Sequence, residues 1–350
     1  MELSHLSNFK EITAAVPDAL MMKSGLIVHN AHPLAEKVSN MPLQEIATAF
    51  GLLEIQRKPS RNPASPHGVF AIGLQSPDLA SSLGSGLLDL MLQKYNALAE
   101  HRAICMPIEV NDFRPVELSF LDISEDLAPI GENAEIPQLY QGAVFGAGAV
   151  SQLSSFGRVL HVSREVIVND QWGIVAKAFS ALGAGSSRLE NKLVFSALEA
   201  NPTLPDGESM FHDAHQNVVA GTLDGSGLAA AMALLRNQPT LTGTPAGHKG
   251  RYLVASPALE YAAIKLVHEA GLDLRVVASP NILAARWYLM ADPVIAPVVG
   301  RLHLKGAAAT PFTVGMGKRD IASDGVAMKL IADHGVSILG RVGIVRGGTV

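Results

Sequence analysis

Two histidines, His212 and His215 in MFHDAHQN, form the best metal-ligand pattern in the sequence. Their spacing can bring two imidazoles to one ion, and Asp213 stands between them. The neighbouring Pro202, Pro205, Gly207 and Gly221 mark the segment as a loop. No HExxH motif, with a helix-borne glutamate base, accompanies the pair. A metal-dependent hydrolase using His212 and His215 is therefore only a minor alternative. The glycine-rich pieces GAGAV (Gly146–Val150) and GAGSS (Gly183–Ser187) lack the Lys-Ser/Thr ending and the strand–glycine–helix setting of phosphate loops. They read instead as aids to packing or bending. No GxSxG elbow is present. No catalytic, cofactor-binding or metal-ligating residue is assigned, and no cofactor is expected.

The composition fits that reading. Of 350 residues, 48% are hydrophobic and 17% charged. Such an apolar balance implies surface covered by partners. The net charge of -5 does not suggest a nucleic-acid reader, which carries a clustered basic face. A single cysteine, Cys105, excludes an internal disulfide framework and a thiolate metal cage, and reads as a small buried apolar residue. MELSHLSNFKEITAAVPDAL does not read as a signal peptide, and no stretch approaches the roughly 20 apolar residues of a membrane span. Cytosol-like surroundings are expected.

The elements that would position these residues fall in sequence as follows. Residues 1–75 read as an arm without a core of its own, best ordered by neighbouring chains. Its clearest helical piece is Pro42–Phe50, and RKPSRNPASPHG (Arg57–Gly68) reads as a linker with solvated cations Arg57, Lys58 and Arg61. Ser76-Pro77-Asp78 opens a helix with Leu83, Leu87, Leu90 and Met91 on one stripe, running to about His101. From Glu109 to Pro137 eight carboxylates face only Arg114, and alternation on both sides suggests a long acidic β-hairpin. Asn169 or Asp170 is placed to cap a long helix whose stripe runs Trp172, Val175, Phe179, Leu182, Leu189, Leu193 and Ala197, ending at Asn201-Pro202. Gly183 and Gly185 would be its point of easiest bending. Beyond it the texture mixes helices (Leu228–Leu235; Pro257 to Gly271) with strands at Tyr252–Ala255, Leu274–Ala278, Trp287–Met290, Val294–Val299, Val326–Ile331 and Val336–Leu339. Asp333-His334-Gly335 reads as a break between the last two.

Several of these segments resemble one family in the same order: VSREVIVND (Val162–Asp170) with its long helix, DGESMFHDAHQN (Asp206–Asn217), RYLVASPALEYAA (Arg251–Ala263), ARWYLMADP (Ala285–Pro293) and DGVAMKLIADHGVSILGRVGIVR (Asp324–Arg346). Upstream, NDFRPVELSFLDISEDLAPIGENAEIP is similar to the same family's extended loop. The family is the Mu-type phage major head subunit, and the resemblance covers roughly residues 76–346. HPLAEKVSNMPLQEIATAFG (His32–Gly51) looks like the linker that joins a ClpP-like prohead protease to the capsid part in fused versions.

The resemblance implies an α+β chain of the Hong Kong 97-type capsid fold. It divides the chain into an N-terminal arm (1–75), a helix region (76–106), an extended β-hairpin loop (107–160) and a peripheral domain with its spine helix (161–204). An axial domain (205–312) and returning peripheral strands (313–350) complete it. It further implies hexamers and pentamers of the chain itself, portal and decoration or scaffolding proteins, non-specific contact with packaged double-stranded DNA, and no membrane. The location would be the virion, assembled in the host bacterial cytoplasm. Some capsids of this fold cross-link through a loop lysine, whereas this sequence has none between Lys94 and Lys177, so its contacts are expected to be noncovalent. An encapsulin-like compartment is the nearest alternative.

Overall fold

The computed structural model describes residues 9–25, 28, 30–58, 65–74, 76–118, 120–121, 145–146, 150–204, 206–239, 244–307, 311–316 and 325–348. Helices come first: α1 (Phe9–Lys23), α2 (Ala35–Ser39), α3 (Leu43–Arg57), α4 (Pro66–Leu74) and α5 (Pro77–Ala97). A 3-10 turn at Glu100–Ile104 leads into β1 (Cys105–Val110), β2 (Val116–Glu117), β3 (Phe120–Leu121), β4 (Phe145–Gly146), β5 (Val150–Ser151) and β6 (Ser154–Ser163). Then follow α6 (Arg164–Val168), α7 (Trp172–Glu199), β7 (Val218–Val219), α8 (Gly225–Asn237), β8 (Gly250–Ala255) and α9 (Pro257–Glu269). The last strands are β9 (Arg275–Ala278), β10 (Trp287–Ala291), β11 (Val299–Leu304), β12 (Phe312–Met316), β13 (Gly325–Ile338) and β14 (Ile344–Gly347). The mixture is α+β, as expected. Among the described residues no helix is long and apolar enough to cross a membrane.

Two compact units divide the chain. The first comprises Met1–Leu98, Ser155–Ser187 and Thr310–Ala332. Its core joins Val16 and Leu20 of α1, Ile46 and Phe50 of α3, and Leu83, Leu87 and Met91 of α5 to Trp172 and Phe179 of α7. Phe312, Met328 and Leu330 bury into the same core from β12 and β13, which pair antiparallel. Tyr95 meets Phe312 edge-on at 5.0 Å between ring centroids.

This core corrects the reading of residues 1–75 as an arm without one. The sequence stripe Ala15, Val16, Ala19, Leu20 is buried despite Pro17 inside α1. Gly86 of α5 leaves room for that turn, because a Cβ there would sit 3.2 Å from Pro17. Helices α3 and α4 approach still more closely. A Cβ on Gly51 would lie 2.0 Å from the Val69 carbonyl oxygen, and one on Gly73 would lie 1.7 Å from that of Ala47. Part of the Arg57–Gly68 linker is helical at each end, since Arg57 closes α3 and Pro66 opens α4; Arg61 lies outside the described residues. Arg57 is also not a free cation, because it pairs with Asp78 at 2.6 Å.

The second unit comprises Ala99–Ser154, Arg188–Ala309 and Asp333–Val350. Its largest sheet has the order β7-β14-β10-β8-β9, with β10 antiparallel to both neighbours and β9 parallel to β8. One sheet face buries Leu253, Ala255, Trp287 and Leu289 against Leu228, Ala231 and Leu235 of α8 and Ala263 of α9. The other buries Val254, Tyr288 and Met290 against Val194, Phe195 and Leu198 of α7. Beside it, β1 runs parallel to β11, and β11 pairs antiparallel with the end of β13.

Several sequence expectations change at this level. The strand expected at Val294–Val299 begins only at Val299, because residues 293–295 turn, so β11 is Val299–Leu304. Asp333-His334-Gly335 does not interrupt anything; β13 runs straight through it. Gly335 is required there, since a Cβ would lie 2.9 Å from the Gln152 carbonyl oxygen. The acidic segment returns on itself through the antiparallel rungs Val116↔Ser151, Glu117↔Val150, Phe120↔Gly146 and Leu121↔Phe145. Its acids Asp122, Glu125, Asp126, Glu132 and Glu135 lie outside the described residues.

Helix α7 is 28 residues long, about 42 Å at 1.5 Å per residue. It passes unbroken through Gly183 and Gly185. A Cβ on Gly183 would meet the Met91 carbonyl oxygen at 2.4 Å. This glycine therefore serves close approach of α5 and α7, not bending.

Candidate functional site

The loop between α7 and β7 folds around its own polar side chains. Asn201, in the left-handed region at φ 47, accepts from the Phe211 amide at 2.7 Å and so closes the loop on the helix end. Asn217, fully buried, donates to the Met210 carbonyl at 2.7 Å and accepts from the His212 amide. His215 is buried too; its Nδ1 faces the Met210 carbonyl at 3.1 Å and its Nε2 the Asp206 carboxylate at 2.8 Å. Burial alone would raise the Asp206 carboxyl, but the Glu208 amide and the His215 ring hold it below its ordinary value.

His212 Nδ1 accepts from the Ala214 amide, capping the short turn that carries His215. The two rings stand 6.1 Å apart and edge-on. Both nitrogens of His215 face oxygens, so neither is turned to an ion shared with His212. Among the described residues no group of three or more His, Cys, Asp or Glu side chains is arranged to hold a metal. Of the glycine-rich pieces, GAGSS lies within α7, and residues 147–149 of GAGAV lie outside the described residues.

VSREVIVND ends on a residue whose role was misassigned from sequence. Asp170 sits at φ 53, just before α7, but its carboxylate serves another helix. It accepts from the Leu43 amide at 3.1 Å, in the first turn of α3, where Pro42 offers no side-chain cap. It also pairs with Lys23 at 2.6 Å, and Lys23 donates to the Met41 carbonyl at 2.8 Å. The next aromatic, Trp172, donates its indole N–H to the Leu20 carbonyl and to Ser24. One short motif thus ties the end of α1 and the start of α3 to the start of α7. Nothing local in the sequence shows this, since the partners stand more than a hundred residues away.

Glu190 of α7 forms the centre of a second cluster, also missed from sequence. It is 1% exposed. Its Oε2 accepts from His101 Nε2 at 2.9 Å and from Arg102 Nε at 3.4 Å. Its Oε1 faces Arg301 at 3.4 Å and His334 Nδ1 at 3.7 Å. Burial by itself raises this carboxyl, yet the imidazoles of His101 and His334 and the Arg301 guanidinium outweigh it and hold the group well below the carboxylate range. Cys105 is buried alongside, its thiol donating to the His101 carbonyl and pushed up to about 12 by burial and the Glu190 charge. That agrees with its reading as an inert buried residue. Near the end of α7, the partly buried Glu199 holds Arg286 and accepts from the Tyr288 hydroxyl at 2.9 Å.

None of these arrangements places a nucleophile beside a base in an open site. Exposed apolar side chains are the more telling feature of the second unit. Tyr261 is 80% exposed on α9, with Ile264 on the same helix, and Val294 is 85% exposed in the turn before β11, next to Ile295. Side chains of this kind gain most when a partner covers them.

Comparison with known proteins adds a family. A family model described as phage capsid protein matches residues 148–347, more than half of the chain. No curated protein matches. Similar solved structures include a phage-related protein from Bordetella bronchiseptica RB50, 10% identical, with a TM-score of 0.49, covering 74% of this chain and 96% of that one. The procapsid of bacteriophage JBD30 is 14% identical, with a TM-score of 0.43 and coverage of 77% and 76%. The SrpI encapsulin complex from Synechococcus elongatus PCC 7942 is 10% identical, with a TM-score of 0.47 and coverage of 71% and 85%. The assignment rests on the family match.

Proposed function

The chain belongs to the phage capsid protein family, and we propose that it is the major subunit of an icosahedral phage or prophage head of the Hong Kong 97-type fold. The family match across residues 148–347 carries this reading. Two features support it: a chain low in charge, and a second unit that leaves Tyr261, Ile264, Val294 and Ile295 in water. In a shell each copy is covered by others. At about 25 cal/mol per Å² of apolar area, thousands of Å² per subunit offset the entropy of ordering its extended parts.

In this reading the segment 107–160 is the extended loop, 205–312 the axial domain around the five-fold and six-fold axes, and 161–204 with 313–350 the peripheral domain. Residues 1–75 are its N-terminal region. The role is structural, not catalytic. Its partners are other copies in hexamers and pentamers, then portal and decoration or scaffolding proteins. Packaged double-stranded DNA touches the inner surface without sequence preference. Assembly takes place in the host bacterial cytoplasm.

The test is the content of isolated particles. Nuclease-protected double-stranded DNA in particles from induced cells is the expected result; particles filled with a protein cargo and no DNA would favour a compartment shell instead.

A further inference from the structure

The second unit carries two separate exposed apolar patches. The first lies on α9, which fully buries only Ala263 among its 13 residues. Leu259, Leu266 and Val267 lie half-buried against the core, leaving Glu260, Tyr261 and Ile264 in water. The second is the turn after β10, where Val294 and Ile295 are 85% and 71% exposed. That turn is held in place. The Asp292 carboxylate accepts from the Val294 amide at 2.9 Å, and the Asp292 carbonyl accepts from the Ile295 and Ala296 amides.

Strand register sets the patches apart. Trp287 pairs with Ala255, just before α9 begins, whereas Ala291 pairs with Gly250 and leads into the turn. The five residues of β10 between those ends span about 13 Å at about 3.3 Å per residue. Glu260 and Tyr261 stand near the start of α9, so neither patch covers the other within one copy.

The charges beside the patches have opposite signs. On α9, Lys265 is engaged by Glu269 at 3.7 Å, which leaves Glu260 as the free acid next to Tyr261. Lys249 precedes Gly250 and therefore stands at the end of the sheet that carries the turn. Both are exposed, and neither forms an ion pair among the described residues. A two-fold contact of either patch with itself brings Glu260 toward Glu260, or Lys249 toward Lys249. A contact of one patch with the other brings acid to cation.

We propose that the α9 patch of one copy docks on the Val294–Ile295 turn of a second copy of this chain, with Glu260 of the first facing Lys249 of the second. Tyr261 and Ile264 cover Val294 and Ile295 in that contact, which removes the large apolar side chains of both patches from water. Because two different patches meet, each copy gives one contact and receives another. Such a head-to-tail interface builds rings or chains and does not stop at a dimer. The contact rests on the reading of this chain as a shell subunit, in which copies surround one another.

Cross-linking of the full-length chain tests it. Tyr261→Cys and Val294→Cys are placed together in one chain and treated with a short thiol-to-thiol cross-linker under assembly conditions. Both positions are exposed, so the fold tolerates them, and the native Cys105 is buried. Denaturing electrophoresis should show a ladder extending beyond the dimer, while either substitution alone leaves single chains. Glu260→Lys and Lys249→Glu should each lower the yield of the ladder about tenfold, and the two together should restore it. Dimers from a chain with one added cysteine, no ladder from the pair, or no rescue by the double reversal would overturn the docking. Icosahedral particles without a ladder overturn the docking alone; a ladder without such particles supports the docking and overturns the shell.

Discussion

Replacing Gly73 by alanine sets two physical arguments against each other. Alanine is favoured over glycine inside a helix by about 1 kcal/mol, so a local argument expects α4 to gain stability. The structure gives the opposite sign. The new Cβ would lie 1.7 Å from the Ala47 carbonyl oxygen, whereas ordinary contact begins at about 3.4 Å. The obstacle is backbone and cannot rotate away, so α3 and α4 must part by well over an ångström and strain the packing around Phe50 and Phe70. Overpacking of this kind costs about 3 kcal/mol at its upper end, leaving a net loss of about 2 kcal/mol. Urea unfolding of the unassembled chain, followed by tryptophan fluorescence because Trp172 lies in the same core, should show a midpoint lowered by roughly 1 M. Gly84→Ala is the control. It lies in α5 with nothing within 4 Å of its added Cβ, and should stabilise by about 0.5–1 kcal/mol. Neutral or stabilising Gly73→Ala would refute the close approach.

Further outcomes follow from the clusters and exposed residues. Asp170→Ala strips the Leu43 amide of its acceptor and leaves Lys23 only the Met41 carbonyl, and should cost about 1–2 kcal/mol in the same urea assay. Glu190→Gln removes the carboxylate that faces the buried Arg301 and the partly exposed Arg102; a loss of about 3–5 kcal/mol, read as a lowered midpoint or failure to accumulate soluble chain, is expected. Tyr261→Asp should leave the unfolding midpoint of the free subunit within about 0.5 kcal/mol of wild type while lowering the yield of sedimenting particles. Denaturing electrophoresis of mature particles should show single chains, since no lysine stands between Lys94 and Lys177 to donate a cross-link from that hairpin; a ladder of linked rings would contradict this.

Features written in local periodicity were legible in the sequence. The stripe Leu83, Leu87, Leu90, Met91 is buried as its spacing requires, and Trp172, Val175 and Phe179 likewise. Asn201 ends α7, and Gly271 follows α9 at φ 59 as a left-handed stop. Long-range pairing was not legible. Asp170 looks like a cap for the helix that follows it, and only the fold shows that it caps α3. Ser256 precedes a proline-started helix as read, but its hydroxyl donates to the Ala284 carbonyl at 2.7 Å and makes no cap bond. Asp333-His334-Gly335 reads as a break because Gly and Asp disfavour strands, yet pairing with β11 overrides that preference. The core of residues 15–53 was missed because Pro17 and a polar linker obscured a stripe that closes only against α5. His212 and His215 drew attention as ligands, whereas Glu190, His101 and Arg301, spread over two hundred residues, formed the tighter cluster.

Electron microscopy of the purified full-length chain tests the central claim most directly. The account predicts closed icosahedral shells built of this subunit. Monodisperse monomers or dimers under every assembly condition tried would contradict it.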